Sequence, residues 1–167
     1  MLNWQKINDV SAMKNKDKII ESILWSIALP GFSQIINGRL LKGFLFIGLE
    51  IVINVMANFN EIIRYSFIGE IESAILHANY QWLMFYPCLY FFAMWDALKD
   101  AGGGKKAYSY LPFVSSAFLV TVGIMYSTQA KVFGIILGPV WFPMLFVIPG
   151  LVIGFSLKII LNKKQGK

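Results

Sequence analysis

Glu50 lies near the centre of the apolar run "FLFIGLEIVINVMANF". An ionised acid at such a position costs roughly 2.5 to 3.5 kcal/mol in a bilayer, so it must be protonated, paired or hydrated. Asn54 follows four residues later on the same helical face, and Gly48 permits close helix approach near that level. The stretch "LPGFSQIINGRLLKG", residues 29–43, adds two amides, Gln34 and Asn37. Glu50, Asn54, Gln34 and Asn37 form the candidate intramembrane polar site. Two kinds of chemistry suit it: interhelical hydrogen bonding worth about 1 kcal/mol per contact, or a proton or cation site. Asp96, in "FFAMWDALKD", is the acid of a candidate set of interface ion pairs with Arg39, Lys42 and Lys99.

Other chemistries lack their residues. Cys88 and His77 are single copies, so an intrachain disulfide, a cysteine-based metal site and zinc chemistry are not expected. The sequence contains no H-E-x-x-H and no G-x-S-x-G, and "AGGGKKAY" lacks the spacing and strand context of a phosphate loop. No catalytic residue, metal or cofactor is assigned. The net charge of +6 resides in short clusters beside apolar runs rather than along one face. That placement follows the positive-inside rule and argues against a nucleic-acid partner.

The elements that position these residues follow from composition. Hydrophobic residues make up 57% of the 167 and charged residues 14%, with a mean hydropathy of +0.61. That balance belongs to a chain whose solvent is lipid. A span needs about 20 apolar residues. Residues 42–59, 81–98, 109–128 and 135–160 come near that length, while 19–37 is divided by Pro30-Gly31. If 19–37 crossed fully, Arg39, Lys42, Lys99, Lys105, Lys106 and the tail lysines Lys163, Lys164 and Lys167 would lie opposite the N-terminus. If it enters and returns, Lys6, Lys14, Lys16 and Lys18 share one side with all of them, and Arg64 and Lys131 face Glu61, Glu70 and Glu72 on the other. The expected fold is therefore an all-α polytopic membrane bundle of four full spans plus a re-entrant or interfacial segment, with both termini cytoplasmic. Five spans is the alternative.

The chain divides accordingly: a basic N-terminus, 1–18; the broken segment with the first span, 19–58; an outer segment, 59–80; a span, 81–98; a Gly/Lys loop, 99–108; spans at 109–128 and 135–160; and a basic tail, 161–167. Ile68, Ile71 and Ile75 predict an amphipathic helix on the outer surface. Pro139, Pro143 and Pro149 predict a kinked last span. Ser26-Ile27-Ala28 offers a small-x-small cleavage pattern after a very short apolar stretch, so Met1 is expected to be retained. At the break, Gln34 and Asn37 are expected to satisfy the freed backbone, and Asn37-Gly38 to form a tight turn.

Pro30, Gly31, Gln34, Asn37, Gly38, Lys42 and Gly43 resemble a pattern of small bacterial membrane proteins, approximately P-G-x-G-Q-x-Y-x-G followed by K-G and an apolar helix. Ser33 and Ile36 stand where that pattern carries glycine and tyrosine. More distantly the segment is similar to the helical hairpin of the TM-two domain family. The resemblance implies a compact hairpin over residues 25–58 and a bacterial plasma-membrane location, and carries over no ligand residue. The expected role is an interaction subunit or scaffold, with lipid and membrane proteins as partners. A small transporter, channel or proton-linked accessory using Glu50 is the alternative.

Overall fold

The computed structural model describes residues 4–165; residues 1–3 of the basic N-terminus and 166–167 of the tail, including Lys167, lie outside the described residues. The chain is mainly helical. Helix α1 spans Trp4–Ala28, with no break at the expected 18/19 boundary. It stops because Leu29 precedes a proline, which disfavours helical backbone, and Pro30 has no N–H to continue the ladder. Gly31 then adopts φ +98°, and α2 occupies Phe32–Ile36. Asn37 and Gly38 turn the chain into α3, Leu40–Ala57.

The next elements are α4 (Phe59–Phe67), α5 (Ile71–His77), α6 (Tyr80–Leu83) and α7 (Phe85–Asp100). After the Gly/Lys loop come α8 (Leu111–Tyr126), a short antiparallel pair β1 (Lys131–Val132) and β2 (Ile135–Ile136), α9 (Gly138–Leu145) and α10 (Val147–Gln165). The expected kink in the last apolar run lies at Phe146, three residues after Pro143.

Contacts along α7 fix the course of the N-terminal unit. Asn15 lies beside Gly102, and Ile27 beside Tyr90, so α1 climbs about 15 Å along α7 in the antiparallel sense. The chain reverses at Pro30-Gly31, and Arg39 and Lys42 return to the level of Asp96 and Asp100. From there α3 runs the whole length of α7: Phe46 meets Phe92 at 5.9 Å, Glu50 meets Tyr86, and the Ala57 carbonyl accepts the Asn79 N–H. Helix α10 lies antiparallel to α8, with Gly150 against Ser116 and Gly154 against Pro112. Its Lys163-Lys164 end therefore lies at the Lys105-Lys106 end of the bundle.

Two glycine contacts set the helix spacings. A Cβ on Gly31 would stand 2.5 Å from the Gly43 carbonyl oxygen, so the turn crosses α3 glycine on glycine. A Cβ on Gly150 would stand 2.6 Å from Ser116 Cα, and Ser115 Oγ donates to the Gly150 carbonyl at 2.7 Å. Gly150-x-x-x-Gly154 is thus a small-residue seam of the kind that lets helix backbones approach closely.

The buried apolar cluster of Ala57, Ile62, Ala74, Leu83, Ile124 and Val140 sits at the end remote from the lysines. Residues 59–80 form two helices rather than the single amphipathic one expected, and α4 buries Ile62 and Ser66 while Glu61 and Arg64 are exposed. Gly69, at φ +84°, splits the segment into α4 and α5, and Ile62 and Ala74 point into this cluster, while Ile68 is exposed. Burial against the bundle end outcompetes an isolated surface helix, and Trp141 Nε1–H, donating to the Ser66 carbonyl at 3.0 Å, ties the cap down. The β pair was not expected; Phe133 and Gly134, both at positive φ, make its two-residue turn.

Leu40–Ala57 and the combined stretch Gly138–Lys164 are long and apolar enough to cross a membrane. Only 22% and 11% of their apolar windows are buried. Leu41, Leu45, Val55, Phe118, Ile148 and Val152 all face outward. Exposed apolar surface of this extent marks faces that meet lipid or other proteins.

Candidate functional site

The polar residues of the hairpin converge on α7. Gln34 is fully buried, and its Nε2 donates to the Ala93 carbonyl at 2.9 Å and to Asp96 Oδ2 at 3.3 Å. Lys42 Nζ donates to Asp96 Oδ1 at 2.8 Å and to Asp100 Oδ2 at 3.4 Å. Arg39 Nε stands 3.8 Å from Asp100 Oδ1. The carboxylates are the sheltered partners, at 15% and 12% exposure, and the cations reach in from outside. Asp96 and Asp100 are four residues apart, so α7 presents both acids on one face.

A second cluster closes the hairpin on itself. Ser33 Oγ donates to Ser22 Oγ at 2.7 Å, and Asn37 Nδ2 donates to Ser22 Oγ at 2.7 Å and to the Ser33 carbonyl at 3.0 Å. Ser33, where the resembling pattern has glycine, is therefore a working member of the crossing.

The freed backbone at the break is satisfied differently from the expectation. Asn37 serves the Ser33 carbonyl, within α2, and Gln34 serves α7. It is the Tyr90 hydroxyl that donates to the Ile27 carbonyl, one of the last carbonyls of α1. This is a side-chain cap supplied from another helix. We expect Tyr90→Phe to cost about 1 kcal/mol, read as a lower unfolding midpoint in detergent by circular dichroism, with helicity at low temperature unchanged.

Glu50 belongs to the inward series Gly43, Phe46, Glu50, Ile53, Ala57 of α3 and is half-buried. Its Oε1 accepts from Tyr86 at 3.3 Å; its Oε2 is buried with no partner. The expected grouping with Asn54, Gln34 and Asn37 is corrected. Asn54 Nδ2 reaches Asn60 Oδ1 at 3.4 Å, and both hairpin amides are bonded elsewhere. The physical reason is depth: the amides return toward the Asp96–Asp100 level, while Glu50 lies two turns further along α3.

Of the expected ion-pair residues, Asp96, Lys42 and Arg39 come together with Asp100, which the sequence reading left out. Lys99 instead lies over the Trp95 ring, 5.9 Å from its centroid. The missed signals were the Asp96/Asp100 spacing and the tyrosines Tyr86 and Tyr90, which face Glu50 and the break.

No family model, curated protein or solved structure matches this chain. The geometry therefore speaks for itself. Among the described residues no three metal-ligating side chains converge. Among the described residues, the buried side-chain polar atoms of these clusters are hydrogen-bonded, the Gln34 Oε1 and Glu50 Oε2 oxygens excepted.

Proposed function

We propose that this chain is a multi-pass plasma-membrane protein, built from four crossing units (α3, α6 with α7, α8, and α9 with α10) and a re-entrant hairpin, and that it acts as an interaction subunit or scaffold. Its support is the return of Arg39 and Lys42 to the Asp96–Asp100 level, which gathers the basic segments at one end of the bundle, as the positive-inside rule requires of a cytoplasmic face. The resemblance of residues 25–58 to bacterial hairpins makes a bacterial plasma membrane the proposed location. Cysteines introduced as Leu40→Cys and Lys105→Cys, in a Cys88→Ala background, are expected to label from the cytoplasm and Arg64→Cys from outside. Labelling of position 40 from outside would replace this topology with the five-span one.

The scaffold reading rests on one observation above all. Glu50 is held by Tyr86 in the α3/α7 seam, and neither the cleft of about 580 Å³ nor that of about 500 Å³ beside α7 is lined by it. Side chains whose polar atoms are spent on one another leave the outward apolar faces as the means of contact. The unpartnered Glu50 Oε2 supports a second reading, a proton-linked accessory. Flux measurements on sealed proteoliposomes separate the two: proton and cation leak equal to that of protein-free vesicles is expected, for wild type and Glu50→Gln alike. A flux abolished by Glu50→Gln would establish the second reading instead.

A further inference from the structure

A groove of about 580 Å³ runs between α7 and α8, with Cys88, Phe92, Trp95, Phe113, Val114 and Phe118 among its lining residues. From Cys88 to Trp95 it extends about 10 Å along the helix, within the roughly 15 Å depth of a single leaflet. Trp95 closes the end nearer the lysines. Lys99 Nζ lies 5.9 Å from its ring, and Tyr110 packs edge-on at 6.3 Å. Gly104, at φ +66°, is pressed onto the same ring so closely that a Cβ would stand 2.8 Å from it. The following residues, Lys105 and Lys106, are exposed beside this end.

Among the described residues these cations lack acids. Asp96 and Asp100, the carboxylates nearest in sequence, are engaged by Lys42 and Arg39, and among the described residues no carboxylate lies within 4.0 Å of Lys99, Lys105 or Lys106. An apolar slot one leaflet deep, ending in a tryptophan with Lys99 over its ring and with exposed Lys105 and Lys106 next along the chain after Gly104, has the chemistry of an anionic amphiphile's complement. We propose that this groove is a binding site for an anionic phospholipid, its acyl chain along Phe92, Phe113 and Phe118 and its phosphate held by Lys99, Lys105 and Lys106. A zwitterionic lipid fills the slot equally well but brings its own cation to the lysines, so selectivity resides in the headgroup.

This inference rests on the membrane-embedded reading above, and one experiment distinguishes their failures. The full chain is reconstituted in phosphatidylcholine vesicles doped with spin-labelled phosphatidylglycerol or spin-labelled phosphatidylcholine, and the motionally restricted fraction is measured by electron paramagnetic resonance. The expected preference for phosphatidylglycerol is at least about fivefold at one site. It should vanish in the triple variant Lys99→Gln, Lys105→Gln, Lys106→Gln, and also in Val114→Trp, which fills the slot from an exposed position while keeping every lysine. A preference that survives either variant overturns the proposal, as does its absence from the wild type. A lack of restricted signal from both lipids overturns the membrane reading itself.

Discussion

Gly31→Val is expected to destabilise the protein by about 3 kcal/mol and to detach the N-terminal hairpin from α3. Two costs add. A β-branched residue held at φ +98° is strained by about 1 to 3 kcal/mol. Its Cβ would also stand 2.5 Å from the Gly43 carbonyl oxygen and 2.9 Å from Ile47 Cγ1, and the carbonyl is backbone that cannot step aside. The hairpin moves away, and Gln34 and Lys42 lose their register on Asp96. Limited proteolysis checks this: cleavage near residues 29–38 should appear in the variant and be absent from the wild type, alongside a lower unfolding midpoint. Gly38→Ala is the control. Gly38 also has positive φ but nothing near its missing side chain, so only the smaller backbone cost applies. Equal effects of the two substitutions would show that crowding against Gly43 is not what holds the hairpin.

The second large effect is expected at the other seam. Gly150→Leu should cost about 2 to 3 kcal/mol, because Ser116 Cα would lie 2.6 Å from the new Cβ and the whole of α10 must move out to accept it. That displacement breaks the Ser115 Oγ bond to the Gly150 carbonyl. Gly154→Leu should behave similarly, since its Cβ would meet the backbone of Pro112. A disulfide between cysteines introduced at exposed flanking positions of α8 and α10 should form readily in the wild-type background and slowly in either glycine variant. Gly48→Leu, which has open space around it, is the neutral comparison; a cost as large as that of Gly150→Leu would count against the seam.

The helical class, the interruption at Pro30-Gly31, the Asn37-Gly38 turn and the kinked last run were legible because each follows from the local chemistry of proline and glycine or from hydropathy over one turn after another. What escaped depended on pairs distant in sequence. Nothing near Glu50 announces Tyr86, 36 residues on, and nothing near Ile27 announces Tyr90, 63 residues on. The arrangement of the outer segment differs for a related reason: Ile68, Ile71 and Ile75 keep helical spacing, but Gly69 breaks the helix between the first two, and Ile62 and Ala74 are the residues buried. Gly150-x-x-x-Gly154 is not among the expectations read from the sequence, because its partner strip of Pro112, Ser115 and Ser116 is recognisable only once α8 and α10 are known to be neighbours.

The distances along the chain between the hairpin and its anchors also set an order of events during synthesis. Gln34 waits for an acceptor 59 residues downstream and Lys42 for a carboxylate 54 residues downstream, which at ordinary elongation rates is a delay of roughly 3 to 12 s. Throughout that interval the nascent chain carries a turn closed by Ser22, Ser33 and Asn37 but not yet anchored to α7, its Gln34 amide and Lys42 ammonium still needing other partners. A chain halted before Tyr90 would therefore hold the hairpin's own bonds and none of its hydrogen-bonded anchors on α7.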